Sequence, residues 1–160
     1  AVLQEVFAAV GERTRHLGES TAAPADRLRE FVAAFAGELI ARPDFPHVMF
    51  REALESGRHL DAATVAAMLV VPGTFLAILD QGVRQGHFRP VAPLLAYFSV
   101  VGPIVMALAG APARARIARF GGRLPDVPAR DALVAAMQDL AIASLCRPPR
   151  APATSRKVVS

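Results

Sequence analysis

LREFVAAFAGELIARPDFPHVMFREA, residues 28–53, decides the fold. Leu28, Phe31, Val32, Phe35 and Leu39 recur every three or four residues, the spacing of one face of an α-helix. Pro24 opens this helix, with Asp26 in its first turn. It stops before Pro43, because a residue that precedes proline is pushed out of the α region. A second helical face follows at once in Phe45, Met49, Phe50, Ala53 and Leu54, and Gly57 ends it. Two amphipathic helices joined by a tight break need further helices to cover their apolar faces.

The flanking sequence supplies them. Leu3, Val6, Phe7, Val10, Thr14 and Leu17 form an upstream stripe closed by Gly18. Asp61 is a good N-cap for a helix running to about Gly86, uncharged from Ala62 to Leu79. A further helix, from about Val91 to Ala109, carries no charge. Gly110, Pro112 and Pro125 bracket a short arginine-bearing piece, ARARIARF. Pro128 opens a last helix to about Cys146, with Leu133, Met137, Leu140 and Ser144 at 4-3-4 spacing. There is no sustained period-2 alternation and no Asn-Gly or Asp-Gly hairpin turn. The expected architecture is all-α, a bundle of about six to seven helices in one domain over residues 1–146.

Composition narrows the options. The chain has 160 residues, of which 53% are apolar and 20% charged. That is enough to bury a core and too apolar for a disordered chain. The low charge hints at a second surface buried against a partner. A lone cysteine, Cys146, excludes an internal disulfide and a cysteine-based zinc site. Lysine occurs once against 17 arginines, a pattern that suggests coding bias more than a binding function. Residues 1–80 carry a net charge of −4, 81–125 carry +6, 126–146 carry −2 and the tail carries +4. The body is thus neutral, poor evidence that it grips nucleic acid itself. The proline-rich tail 147–160 lacks periodicity and reads as disordered.

Residues 62–79 and 90–113 are long enough, and free enough of charge, to raise the question of a membrane span. Their alanine and glycine content, the prolines at 72, 90, 93, 103 and 112, and the amphipathic neighbours argue for a central position in a helical bundle. Pro72 and Pro103 lie inside helices. Each frees the carbonyl four residues earlier, those of Met68 and Ser99, at roughly 3 kcal/mol. Either they are tolerated kinks, or the paired kinks bow two core helices apart around a cavity.

Catalytic constellations are sparse. Glu52 and Glu55 are three apart and His59 is four beyond Glu55, but Gly57 is expected to end the helix between them. A solvated face with Arg51–Glu55 pairing is the expectation there, with no metal site. No phosphate-binding glycine loop or nucleophile elbow occurs, so no enzyme and no cofactor are expected. The arginines at 114, 116, 119 and 123 read as a solvated segment. What remains is apolar: Phe35, Leu39, Met49, Phe50, Met68, Phe75, Tyr97 and Met106 as candidate walls of a ligand pocket. His47, Thr74, Tyr97 and Ser99 could supply its polar groups. Such stripes also serve simply as core.

Two stretches carry a family resemblance. One is 28–53, a long helix, an Arg-Pro-Asp break and a short helix ending in Arg-Glu. The other is GVRQGHFRPVAPLLAYF, residues 82–98, in which Gly82, Gly86, Phe88, Arg89 and Pro93 match a characteristic turn. Ala92 stands where aspartate is usual, so a helix N-cap is lost there. Together they resemble the C-terminal ligand-binding and dimerisation domain of the tetracycline-repressor (TetR/AcrR) family of bacterial transcriptional regulators.

The resemblance implies that residues 1–17 form the helix joining this domain to an N-terminal helix-turn-helix head. That head would precede Ala1 and contact operator DNA. It implies a homodimer through the last two long helices, with Leu94, Phe98, Val101, Val105, Leu133, Met137, Leu140 and Ser144 at the four-helix interface. It also implies a small hydrophobic effector, bound between the second, fourth and fifth helices, that releases the operator. The protein would be cytoplasmic and not bound to a membrane. A small helical carrier or enzyme with an apolar cavity, and a membrane-associated helical protein, remain as other readings.

Overall fold

The computed structural model describes residues 2–146; the tail 147–160, expected to be disordered, lies outside them. Helix α1 (Val2–Thr14) tightens into a 3-10 turn at Arg15–Gly18. Then come α2 (Pro24–Ala41), α3 (Phe45–Leu54), α4 (Ala62–Arg84), α5 (Pro93–Ala109), α6 (Ala111–Arg119) and α7 (Arg130–Leu145). Among the described residues there is no strand, only an isolated bridge between Phe88 and Cys146. The all-α architecture read from the periodicity is the one observed.

Helix α2 forms the centre. Its Leu28, Phe31, Val32, Phe35, Ala36 and Leu39 are all buried, and α1, α4, α5 and α7 pack around it. Helix α1 lies along α4. Gly11 lets them approach, since a β-carbon there would meet Val70 Cγ1 at 3.1 Å. A salt bridge from Arg13 to Glu38 (2.9 Å) ties α1 to α2, and Arg42 pairs with the same carboxylate. Burial pushes the Glu38 carboxyl up, but the bonds from Arg13 and Arg42 outweigh it and hold the group below its usual value.

Several helix ends follow from single residues. Asp61 caps α4, its Oδ1 accepting the Thr64 N–H at 2.7 Å. The α4 terminus is a Schellman turn: the His87 N–H donates to Gly82 O (2.9 Å) and the Gly86 N–H to Val83 O (3.0 Å), with Gly86 at φ 77°. The chain then drops Phe88 into a fully buried seat against Gly82. Arg89 fastens the turn to the end of α7, its N–H bonding Leu145 O (2.9 Å) and its Nε Ser144 O (2.7 Å). Ala92 offers no side-chain cap, and α5 starts at Pro93 rather than Val91. The last helix likewise starts at Arg130, two residues after Pro128.

Both interior prolines sit within continuous helices, Pro72 in α4 and Pro103 in α5. Among the described residues, α4 alone is long and apolar enough to cross a membrane, and α5 with α6 would qualify as a pair bent by 42°. In the bundle, α4 turns Val71, Phe75, Ile78 and Leu79 into the core.

Candidate functional site

An apolar cavity of about 470 Å³ lies among α1 to α5. Phe7 of α1 and Phe35 of α2 form its floor, both nearly fully buried. Helix α3 contributes Met49 and Phe50, and α4 contributes Met68, Leu69 and Pro72. Helix α5 supplies the opposite wall, with Leu94, Tyr97, Phe98, Val101, Gly102, Val105 and Met106. The Tyr97 hydroxyl is the one strongly polar side-chain group in this lining. Burial pushes that phenol up to about 12, so it is neutral at physiological pH and can donate or accept a hydrogen bond. A wall of carbon and sulfur around one hydroxyl discriminates poorly between apolar shapes but excludes charge. Methionines at 49, 68 and 106 let the wall adapt.

Pro72 lines the cavity together with Met68, whose carbonyl it leaves without its usual helical donor. Gly102, immediately before Pro103, also lines it. Helix irregularities therefore flank the cavity on both α4 and α5.

The structure brings Phe35, Met49, Phe50, Met68, Tyr97 and Met106 together at this cavity. Phe75 sits behind it, edge-on to the Tyr97 ring at 5.5 Å and fully buried. Other expected residues lie elsewhere. Leu39 is fully buried in the core near the end of α2. His47 is exposed on α3, and the Ser99 hydroxyl bonds Ala96 O within its own helix (2.8 Å). Thr74 likewise bonds Val70 O (3.1 Å). Short hydroxyl side chains in helices return to the preceding turn when no other acceptor is near.

The positions expected at a subunit contact also divide. Leu94, Phe98 and Leu140 are exposed, and Met137 and Ser144 are half-buried. Val101, Val105 and Leu133 are instead buried within the chain's own fold, and the two valines border the cavity together with Leu94 and Phe98. The reason is register: α5 is apolar all round, so its pattern alone does not say which stripe faces inward.

Two arrangements escaped the sequence reading. Arg27, the largest fully buried side chain, donates from Nε to Leu17 O (2.6 Å) and from a terminal nitrogen to Gly18 O (3.0 Å); it also bonds Gln81. It thereby clamps the end of the α1 segment to α2 and α4. Its only signal was a charge among the apolar positions of α2. The second is the end of α3, where, in place of the expected Arg51–Glu55 pairing, His59 Nδ1 lies 3.2 Å from a carboxylate oxygen of both Glu52 and Glu55.

A family model described as tetracyclin repressor-like, C-terminal domain, matches residues 24–140. The chain belongs to this family. The match runs from the first residue of α2 to near the end of α7, so it takes in every element of the cavity except α1. No curated protein matches the chain. As a TetR-like C-terminal domain it is part of a transcriptional regulator, and the Gly82–Arg89 turn quoted from the sequence falls inside the matched span.

Proposed function

We propose that this domain is the effector-binding and dimerisation part of a TetR-type regulator, with a small apolar molecule as effector and no catalytic role. The observation that supports this most is the apolar cavity, in whose lining Tyr97 alone carries a strongly polar side-chain group. Phe7 connects ligand to output. It belongs to α1, the helix we assign as the link to an N-terminal DNA-binding head, and it lines the cavity floor. A ligand pressing on Phe7 favours one position of α1 over another. The Arg27 clamp makes the end of that helix move with α2 and α4. Binding then shifts a population of dimers away from the head spacing that fits operator half-sites, so the regulator acts as a repressor that lets go. Dimerisation through α5 and α7 covers the exposed Leu140, and Leu94 and Phe98, which also line the cavity, put the second subunit at its mouth. The site of action is the cytoplasm, with no membrane contact.

Titration with N-phenyl-1-naphthylamine, a neutral apolar fluorophore, tests the cavity. The expected result is saturable binding at one probe per chain. Met68→Trp, which fills the cavity from α4, should weaken it by roughly tenfold or more, since each 1.4 kcal/mol of lost contact is a factor of ten. Unsaturable binding, or a Met68→Trp variant that folds and binds unchanged, would overturn the reading.

A further inference from the structure

A second cavity, of about 450 Å³, opens where α3 meets the start of α4, and its lining mixes charged side chains with apolar ones such as Val48 and Leu60. Leu3 of α1, Arg51, Glu52 and Glu55 border it, together with His59 from the connecting turn and Thr64 of α4. We propose that Glu52, Glu55 and His59 form a binding site for one divalent transition-metal cation of the zinc class.

The local fold brings these residues together. Helix α3 ends in a Schellman turn: the Gly57 N–H donates to Glu52 O (2.7 Å) and the Ser56 N–H to Ala53 O (3.3 Å). Ser56 and Gly57 both take left-handed backbone angles, φ 59° and 68°. This pair reverses the chain, and the Leu60 N–H closes on Gly57 O at 3.0 Å. His59 is carried back over the last turn of α3. Its Nδ1 lies 3.2 Å from a carboxylate oxygen of each glutamate. One ligand atom from each of the three residues can be chosen so that all lie within 4.8 Å of one another.

Those separations suit a metal. Zinc bonds nitrogen and oxygen at about 2.0–2.2 Å, so two ligands of a tetrahedral ion are about 3.3–3.5 Å apart. The His59–carboxylate spacings already have nearly that value, and drawing the glutamates together around a cation completes the set. Three protein ligands leave a fourth position for water on the open side of the cavity. One imidazole with two carboxylates suits zinc, cobalt or nickel, whereas calcium would want six to eight oxygens.

Independent support comes from Glu52. It is only 7% exposed, and its Oε2 has no hydrogen-bond partner among the described residues. A buried carboxylate oxygen left unpaired is costly, and a cation beside it removes that cost. Arg51 borders the same cavity with the opposite sign, but it is exposed, and two carboxylates outnumber it. The site is separate from the apolar cavity, and Leu3 places the linking helix at its edge.

Calorimetric titration of the chelator-treated chain with zinc chloride tests the assignment, with far-UV circular dichroism to confirm that each variant folds. One equivalent should bind, and bound zinc should raise Tm. Glu52→Gln and His59→Ala should each weaken binding by about tenfold or more, as should the milder Glu55→Gln at a half-exposed position. His16→Ala should leave it unchanged, although His16 also faces a carboxylate, that of Glu30 at 3.1 Å. Three outcomes would overturn the proposal: no saturable binding, binding indifferent to folded His59 and Glu55 variants, or an equal loss in His16→Ala. Each would mark the cluster as a plain ion pair or the zinc as scattered over surface histidines.

Discussion

A β-carbon added to Gly82 would lie 2.1 Å from Cδ2 of Phe88, well inside contact distance. The ring is fully buried and cannot step aside without leaving its seat between α4 and the end of α7. Gly82→Ala should therefore destabilise the domain by about 1–3 kcal/mol, the usual cost of overpacking a filled site. Urea denaturation measures this, and an unchanged midpoint would show that the Phe88 seat is not filled as described. Gly86, four residues on, is needed for a different reason, its left-handed angle. Both glycines were visible in the sequence as a motif, but only the packing separates their roles. Residue identity was a poorer guide at His47 and Ser99. Both were polar groups at helical spacing near apolar ones, and both lie outside the cavity. The informative polar residue was Glu52, whose burial depends on a chain reversal two residues beyond the helix.

Helix identity was readable because stripes of apolar residues at 3.6-residue spacing survive without tertiary knowledge. All of the expected helices form, within a few residues of their expected ends. Facing direction was readable where a helix had a polar side, as in α1 and α2. It was not readable in α5, whose 17 residues carry no charge, and this is why Val101 and Val105 turned out to face the cavity. The α4 helix carries its own test. Pro72 removes a hydrogen bond and lines the cavity, so Pro72→Ala should restore the bond to Met68 O and reshape the wall. We expect the probe affinity to fall several-fold while the unfolding midpoint stays constant or rises. A lowered midpoint with unchanged probe binding would make Pro72 a structural kink alone.

For the molecule as a whole, the question is where its excess of apolar residues goes. The chain is 53% apolar, and it still exposes Leu94, Leu95, Phe98 and Met106 on α5, Leu69 on α4 and Leu140 on α7. Exposed apolar residues that gather into a patch mark an interaction face. We propose that this surface is shared between the mouth of the cavity and a second subunit. The most direct test is the mass of the chain in detergent-free buffer, by light scattering behind size exclusion. The account predicts a particle of about twice 16.9 kDa. A soluble monomer, or a chain that stays in solution only with detergent, would contradict it.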